Sequence, residues 1–181
     1  MIVRVRNNCG ATNGQDELCR EVSAVTAVTL FLADEAATLA LGAALGQQTA
    51  GHGVIYLEGD LGAGKTTLTR GLLRSLGHAG AVKSPTFTLV EPYEMNGMRA
   101  WHFDLYRLSD PEELEFLGIR DYFAADDLCI IEWPQRGAGV LPEPDLRITM
   151  RPSGQGRAVL LEPCSARGSD WCRALPAGSN E

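Results

Sequence analysis

Eight consecutive residues, Gly59-Asp60-Leu61-Gly62-Ala63-Gly64-Lys65-Thr66, constrain this chain more than any other stretch. They satisfy Gly-x-x-x-x-Gly-Lys-Ser/Thr in full. The apolar run VIYL at 54–57 precedes them and reads as a buried parallel strand. Residues 67–76 follow, with Leu68, Leu72, Leu73 and Leu76 on one helical stripe and Gly77 as the C-cap. Glycines let such a loop curl until successive N–H groups point at one centre, and the helix adds its positive end there. The result is a cradle for phosphate. Lys65 would reach the β- and γ-phosphates as a mobile charge. Thr66 would offer its hydroxyl to Mg²⁺, and Thr67 is placed to touch the α-phosphate.

ATP is the expected nucleotide, by elimination. Guanine selection in P-loop proteins normally uses Asn/Thr-Lys-x-Asp. The chain has fourteen Arg but only two Lys, and Lys83 is followed by Ser84-Pro85. Mg²⁺ held by a nucleotide also needs a carboxylate at a strand end. Two acids qualify: Glu132 closes the apolar run LCII at 128–131, and Asp104 closes the run WHF at 101–103. His102 stands two residues before Asp104, so on a strand both face one side. Ser84-Pro85-Thr86 follows the loop helix, where P-loop proteins keep a segment sensing the γ-phosphate. From spacing alone Trp133 reads as core. Arg107 and Arg136 could stabilise charge or form surface salt bridges.

The rest of the chain frames one domain. Its 181 residues carry a net charge of −7, which argues against a duplex-DNA binder working by phosphate neutralisation. Between 104 and 145, eleven acids face three Arg, a local charge of −8, and such a face suits a basic protein partner. Five Cys with no Cys-x-x-Cys fit neither a disulfide framework nor a zinc cluster. With no run of transmembrane length and no secretory leader, a cytoplasmic protein without membrane contact is expected. A strand at 25–32, a helix at 34–45, and strands at 86–95 and 98–105 joined by Asn96-Gly97 fill in the pattern. A helix from Pro111 and a late antiparallel pair at 146–150 and 158–161 complete it. The mixture predicts a three-layer α/β domain with mixed strands and flanking helices over 23–163. Residues 1–22 read as a flexible extension and 164–181 as a flexible tail.

Together these residues resemble the TsaE (YjeE) family. The matching runs are GDLGAGKTTLTRGLLRSLG at 59–77, SPTFTLVEPY at 84–93, HFDLYRL at 102–108, ELEFLGI at 113–119 and IIEWPQR at 130–136. The resemblance covers roughly 29–161 and implies a small P-loop NTPase sheet with the nucleotide at strand C-termini. It implies an ATPase that is weak alone and acts with the partners TsaD and TsaB. That pair would threonylcarbamoylate adenosine 37 of tRNA, with tRNA contact made mainly through the partners. It also implies site residues: Lys65 and Thr66 at nucleotide and Mg²⁺, Asp104 and Glu132 in the metal and hydrolysis site, Thr86 in the switch-like segment, and Trp133 by the nucleotide. Two rival readings stay open, a non-hydrolysing ATP-dependent assembly subunit of that complex and a small-molecule P-loop kinase.

Overall fold

The computed structural model describes residues 2–5, 27–124 and 126–176. Its described strands form one eight-stranded sheet in the order β1-β2-β8-β7-β3-β6-β5-β4. Four central strands run parallel: β7 (Leu146–Ser153), β3 (Gly53–Glu58), β6 (Leu128–Glu132) and β5 (Met98–Asp104). Antiparallel strands flank them, with β4 (Val90–Met95) at one edge. On the other side lie β8 (Gly156–Pro163), β2 (Val28–Leu32) and β1 (Ile2–Val5).

Strands β3 and β6 are apolar on both faces because helices cover both. Ile55, Leu57, Leu128 and Ile130 point into one core with α1 (Glu35–Thr49) and α2 (Lys65–Ser75). Tyr56, Cys129 and Ile131 point into the other, with Leu114 of α3 (Glu112–Phe116) and Ile119 of α4 (Ile119–Ala124). The expected three-layer α/β architecture is therefore present. Asp34 caps α1 by accepting from Ala37 N at 2.8 Å. Helices α1 and α2 meet backbone to backbone: a Cβ on Gly42 would lie too close to the Leu68 carbonyl, and one on Gly71 too close to that of Leu39.

Three expectations change. Residues 86–89 are a turn rather than the start of a strand: Leu89 N donates to Pro85 O at 2.7 Å, and Leu89 is left-handed at φ 64°. Strand β4 therefore begins at Val90, and Asn96 (φ 50°) and Gly97 (φ 80°) make the expected tight turn into β5. The tail does not simply trail away. Ser165 caps α5 (Ala166–Ala174) by accepting from Gly168 N at 3.1 Å, and Trp171, Cys172 and Leu175 enter the first core. At the other end, Ile2–Val5 pairs with β2. The remainder of the expected extension, 6–22, and residues 177–181 lie outside the described residues, as do Cys9 and Cys19. No described helix is long and apolar enough to cross a membrane.

Candidate functional site

The C-terminal ends of β3, β5 and β6 bring the predicted groups into one cleft of about 280 Å³. Helix α2 starts at Lys65, inside the loop motif itself. Its N-cap, Gly64, has φ 107°, a conformation side chains resist, and a Cβ there would meet Arg157 Nε at 2.9 Å. Lys65 folds back onto its own loop. Its Nζ donates to Gly59 O at 2.7 Å and Asp60 O at 3.0 Å, and it sits 4.4 Å from the centroid of the Trp133 ring. Burial pushes the Lys65 ammonium below its ordinary pKa, against the opposing pull of Glu132, Asp104 and Asp60.

Glu132 and Asp104 end adjacent parallel strands in register with each other, and both are buried. Their surroundings differ. Glu132 Oε1 accepts from Thr66 Oγ1 at 2.9 Å and lies 2.9 Å from His102 Nε2. Among the described residues Glu132 Oε2 has no hydrogen-bond partner, and it is not sealed from solvent. Asp104 is engaged at both oxygens. Its Oδ2 accepts from Ser84 Oγ, and from Thr86 Oγ1 at 2.7 Å; its Oδ1 accepts from Tyr106 N at 3.0 Å. The 84–86 segment is thereby tied to the end of β5.

Trp133 turns left-handed (φ 60°, ψ 48°) just after Glu132, and its N donates to Leu57 O at 3.2 Å. That bend sets the half-buried ring against Lys65 while it still packs on the edge of the second core, as spacing alone suggested. Gly62, Thr67 and Leu61 also line the cleft, with Leu61 66% exposed at its mouth. Ala63 is buried, and its N donates to Asp60 O at 3.1 Å. Arg107 and Arg136 do not line the cleft; Arg107 stacks on Phe87 at 4.3 Å.

One cleft residue carried no sequence signal. Arg157 leans across from β8, its Nε donating to Ala63 O at 2.8 Å. It lies some ninety residues beyond the loop, at the start of β8 just after a glycine-containing turn that looks like many others. A larger open depression of about 650 Å³ lies at the opposite end of the sheet. Two of its charged groups, Arg99 and Asp127, satisfy each other there at 2.7 Å, Glu94 also lines it, and it lies away from Asp104, Glu132 and the glycine loop.

The oxygen donors of Thr66 and Glu132 suit a hard cation such as Mg²⁺. Among the described residues no three His, Cys, Asp or Glu side chains cluster as a metal site of their own; waters or phosphate oxygens could supply the remaining ligands of such a cation. Sheet, glycine loop and strand-end acids define a P-loop-type α/β protein.

The comparisons with known proteins narrow this class. Residues 32–159 match the family described as threonylcarbamoyl adenosine biosynthesis protein TsaE, and the chain belongs to that family. The tRNA threonylcarbamoyladenosine biosynthesis protein TsaE of Haemophilus influenzae is 63% identical over 97 residues, 54% of this chain and 61% of the relative. The chain thus spans under two thirds of that relative's length. Its namesake from Bacillus subtilis is 42% identical over 128 residues, covering 70% of this chain and 80% of its own. The crystal structure of Bacillus subtilis YdiB superposes with a TM-score of 0.70 at 30% identity, covering 83% of this chain and 95% of that one.

Proposed function

We propose that this chain is an Mg²⁺-dependent ATPase that supports threonylcarbamoylation of adenosine 37 in tRNA by acting on the TsaD–TsaB complex in the cytoplasm. The observation that carries the reading is the convergence of a complete phosphate loop, Lys65, Thr66 and Glu132 on one cleft. Family membership supports the tRNA pathway.

The chemistry follows from the side chains. To bind phosphate, Lys65 exchanges the carbonyls of Gly59 and Asp60 for the ligand's oxygens, so its charge moves from a self-satisfied position to a productive one. The backbone amides of residues 60–66 and the start of α2 hold the phosphates. Thr66 and Glu132 would hold Mg²⁺, which supplies charge neutralisation on the transferring phosphoryl group when bound. With its free Oε2, Glu132 can also orient a water. Asp104 Oδ2 takes both hydroxyls, so that oxygen acts on metal or water only after Ser84 and Thr86 let go, while Oδ1 holds one bond from Tyr106 N. That exchange gives the cycle a conformational output at residues 84–89, which a bound partner can read. The exposed acids Asp110, Glu112, Glu113, Glu115 and Asp121 suit a protein partner, with tRNA contacted through it.

The test is ATP hydrolysis by the purified protein in Mg²⁺, alone and with TsaD–TsaB. Stimulation by the pair that disappears in Lys65→Ala is expected. ATP binding without hydrolysis in either state would overturn the ATPase and favour an ATP-dependent assembly subunit.

A further inference from the structure

His102 is completely buried on β5. Its Nε2 lies 2.9 Å from Glu132 Oε1, while Nδ1 has no hydrogen-bond partner. A neutral imidazole carries one ring proton. On Nε2 it donates to the carboxylate and leaves Nδ1 a bare acceptor. On Nδ1 it would leave a buried donor unused and turn a lone pair toward the carboxylate. The arrangement therefore selects the Nε2–H tautomer.

Thr66 Oγ1 donates to the same carboxylate oxygen. Both anchors thus hold Oε1, and Oε2 is left to the cleft. The two anchors are not equivalent. Thr66 is the residue whose hydroxyl oxygen a metal ion would take, so where its O–H points, and how it meets Oε1, follows what is bound. His102 stands behind the acid, out of reach of any ligand, and keeps its bond whatever occupies the cleft. Packing does not explain the residue. On its own face of the sheet it stands beside Ala100 and opposite Ile130, both buried and apolar, and an imidazole with one nitrogen unsatisfied fits such a place worse than an apolar side chain would.

We infer that His102 is a positioning residue that keeps the Glu132 carboxylate aimed into the cleft while metal and nucleotide are bound. The inference rests on the Mg²⁺–nucleotide reading above. It concerns a group that touches no ligand and acts through Glu132 alone, as the outer partners of metal-ligating groups do.

The test compares two amides. Glutamine carries its side-chain nitrogen to where Nε2 stands; asparagine is one methylene short, with the same buried polar group. Binding of ADP and of the non-hydrolysable analogue AMP-PNP is measured by calorimetry in Mg²⁺ and in EDTA, for wild type, His102→Gln and His102→Asn. The expected result is tighter binding in Mg²⁺ than in EDTA for wild type and His102→Gln. In His102→Asn this Mg²⁺ advantage falls by roughly ten- to a hundredfold, with affinity in EDTA unchanged and a melting temperature matching that of His102→Gln. An undiminished Mg²⁺ advantage in His102→Asn overturns the inference, as does an equal loss in both variants. A wild type that binds no nucleotide, or binds it equally with and without Mg²⁺, refutes the underlying reading instead.

Discussion

Replacing Gly71 by alanine sets two effects of opposite sign against each other. Alanine in a helix interior is favoured over glycine by about 1 kcal/mol. On helix propensity alone, Gly71→Ala should stabilise α2. The packing says otherwise. The new Cβ would stand 3.0 Å from both the carbonyl carbon and the Cα of Leu39, and closer still to its carbonyl oxygen, where ordinary contact is 3.4–4 Å. Even the gentler of these contacts forces the helices apart by about 0.4 Å, the difference between 3.4 and 3.0 Å. All three atoms are backbone, so no rotamer change relieves them. Overpacking of this kind costs about 1–3 kcal/mol, and a backbone clash belongs at the upper end. The net is about 2 kcal/mol of destabilisation. For a chain of this size, that lowers the melting temperature by roughly 4–8 °C. Because α2 begins with Lys65 and Thr66, nucleotide affinity should fall as well. Thermal melting by circular dichroism and ADP titration measure the two. Gly42→Ala, which pushes on the Leu68 carbonyl across the same interface, should act alike, and the pair should fall short of additivity. A melting temperature equal to or above wild type for Gly71→Ala would refute the close-packing argument.

Three further outcomes are expected. Burial lowers the Lys65 pKa in the folded protein, so the charged ammonium opposes folding. The penalty is complete below the folded-state pKa, shrinks as pH rises from there, and is gone above the ordinary lysine value. Lys65→Met should therefore raise the nucleotide-free melting temperature at pH 7, with the advantage narrowing toward pH 10; a lower melting temperature at pH 7 would contradict this. The Cys129 thiol is pushed by burial up to about 12, whereas Cys164 is exposed. Iodoacetamide at pH 8 followed by peptide mass mapping should find Cys164 modified and Cys129 intact, and comparable labelling of the two would count against the buried β6 thiol. Trp171→Ala should cost about 3–5 kcal/mol, read from urea unfolding, and a loss near zero would mean that α5 does not contribute to the core.

The central unit was legible because its signals are local. Glycine spacing, the apolar run before it and the leucine stripe after it each follow from short-range physics, and so does the Asn96-Gly97 turn. Glu132 was legible as the end of a doubly buried strand. What the sequence hid depends on contacts between distant segments. Nothing local to Ser165–Leu175 announces that Cys172 and Leu175 will find space against β2 and α1, so a glycine-containing stretch reads as loose chain. TFTL at 86–89 has strand-forming residues, yet the hydroxyls of Ser84 and Thr86 bind Asp104 and hold the segment in a turn. Trp133 does pack on the second core, but nothing local announces the left-handed backbone that also turns its ring toward Lys65. His102 and Asp104 were correctly expected to share a side, but which acid the imidazole serves is decided by the pairing of β5 with β6.

The pairing of β2 with β8 has a consequence for the order of synthesis. The glycine loop leaves the ribosome about ninety residues before Arg157, the residue that braces it through Ala63 O. At ordinary elongation rates that interval is on the order of ten seconds. Until β8 has emerged, β7 lacks its antiparallel neighbour and β2 has nothing to pair with on that side. A half-made chain therefore presents a phosphate loop without its far wall. Competence to capture a nucleotide arrives late in translation, when one strand closes both the sheet and the cleft.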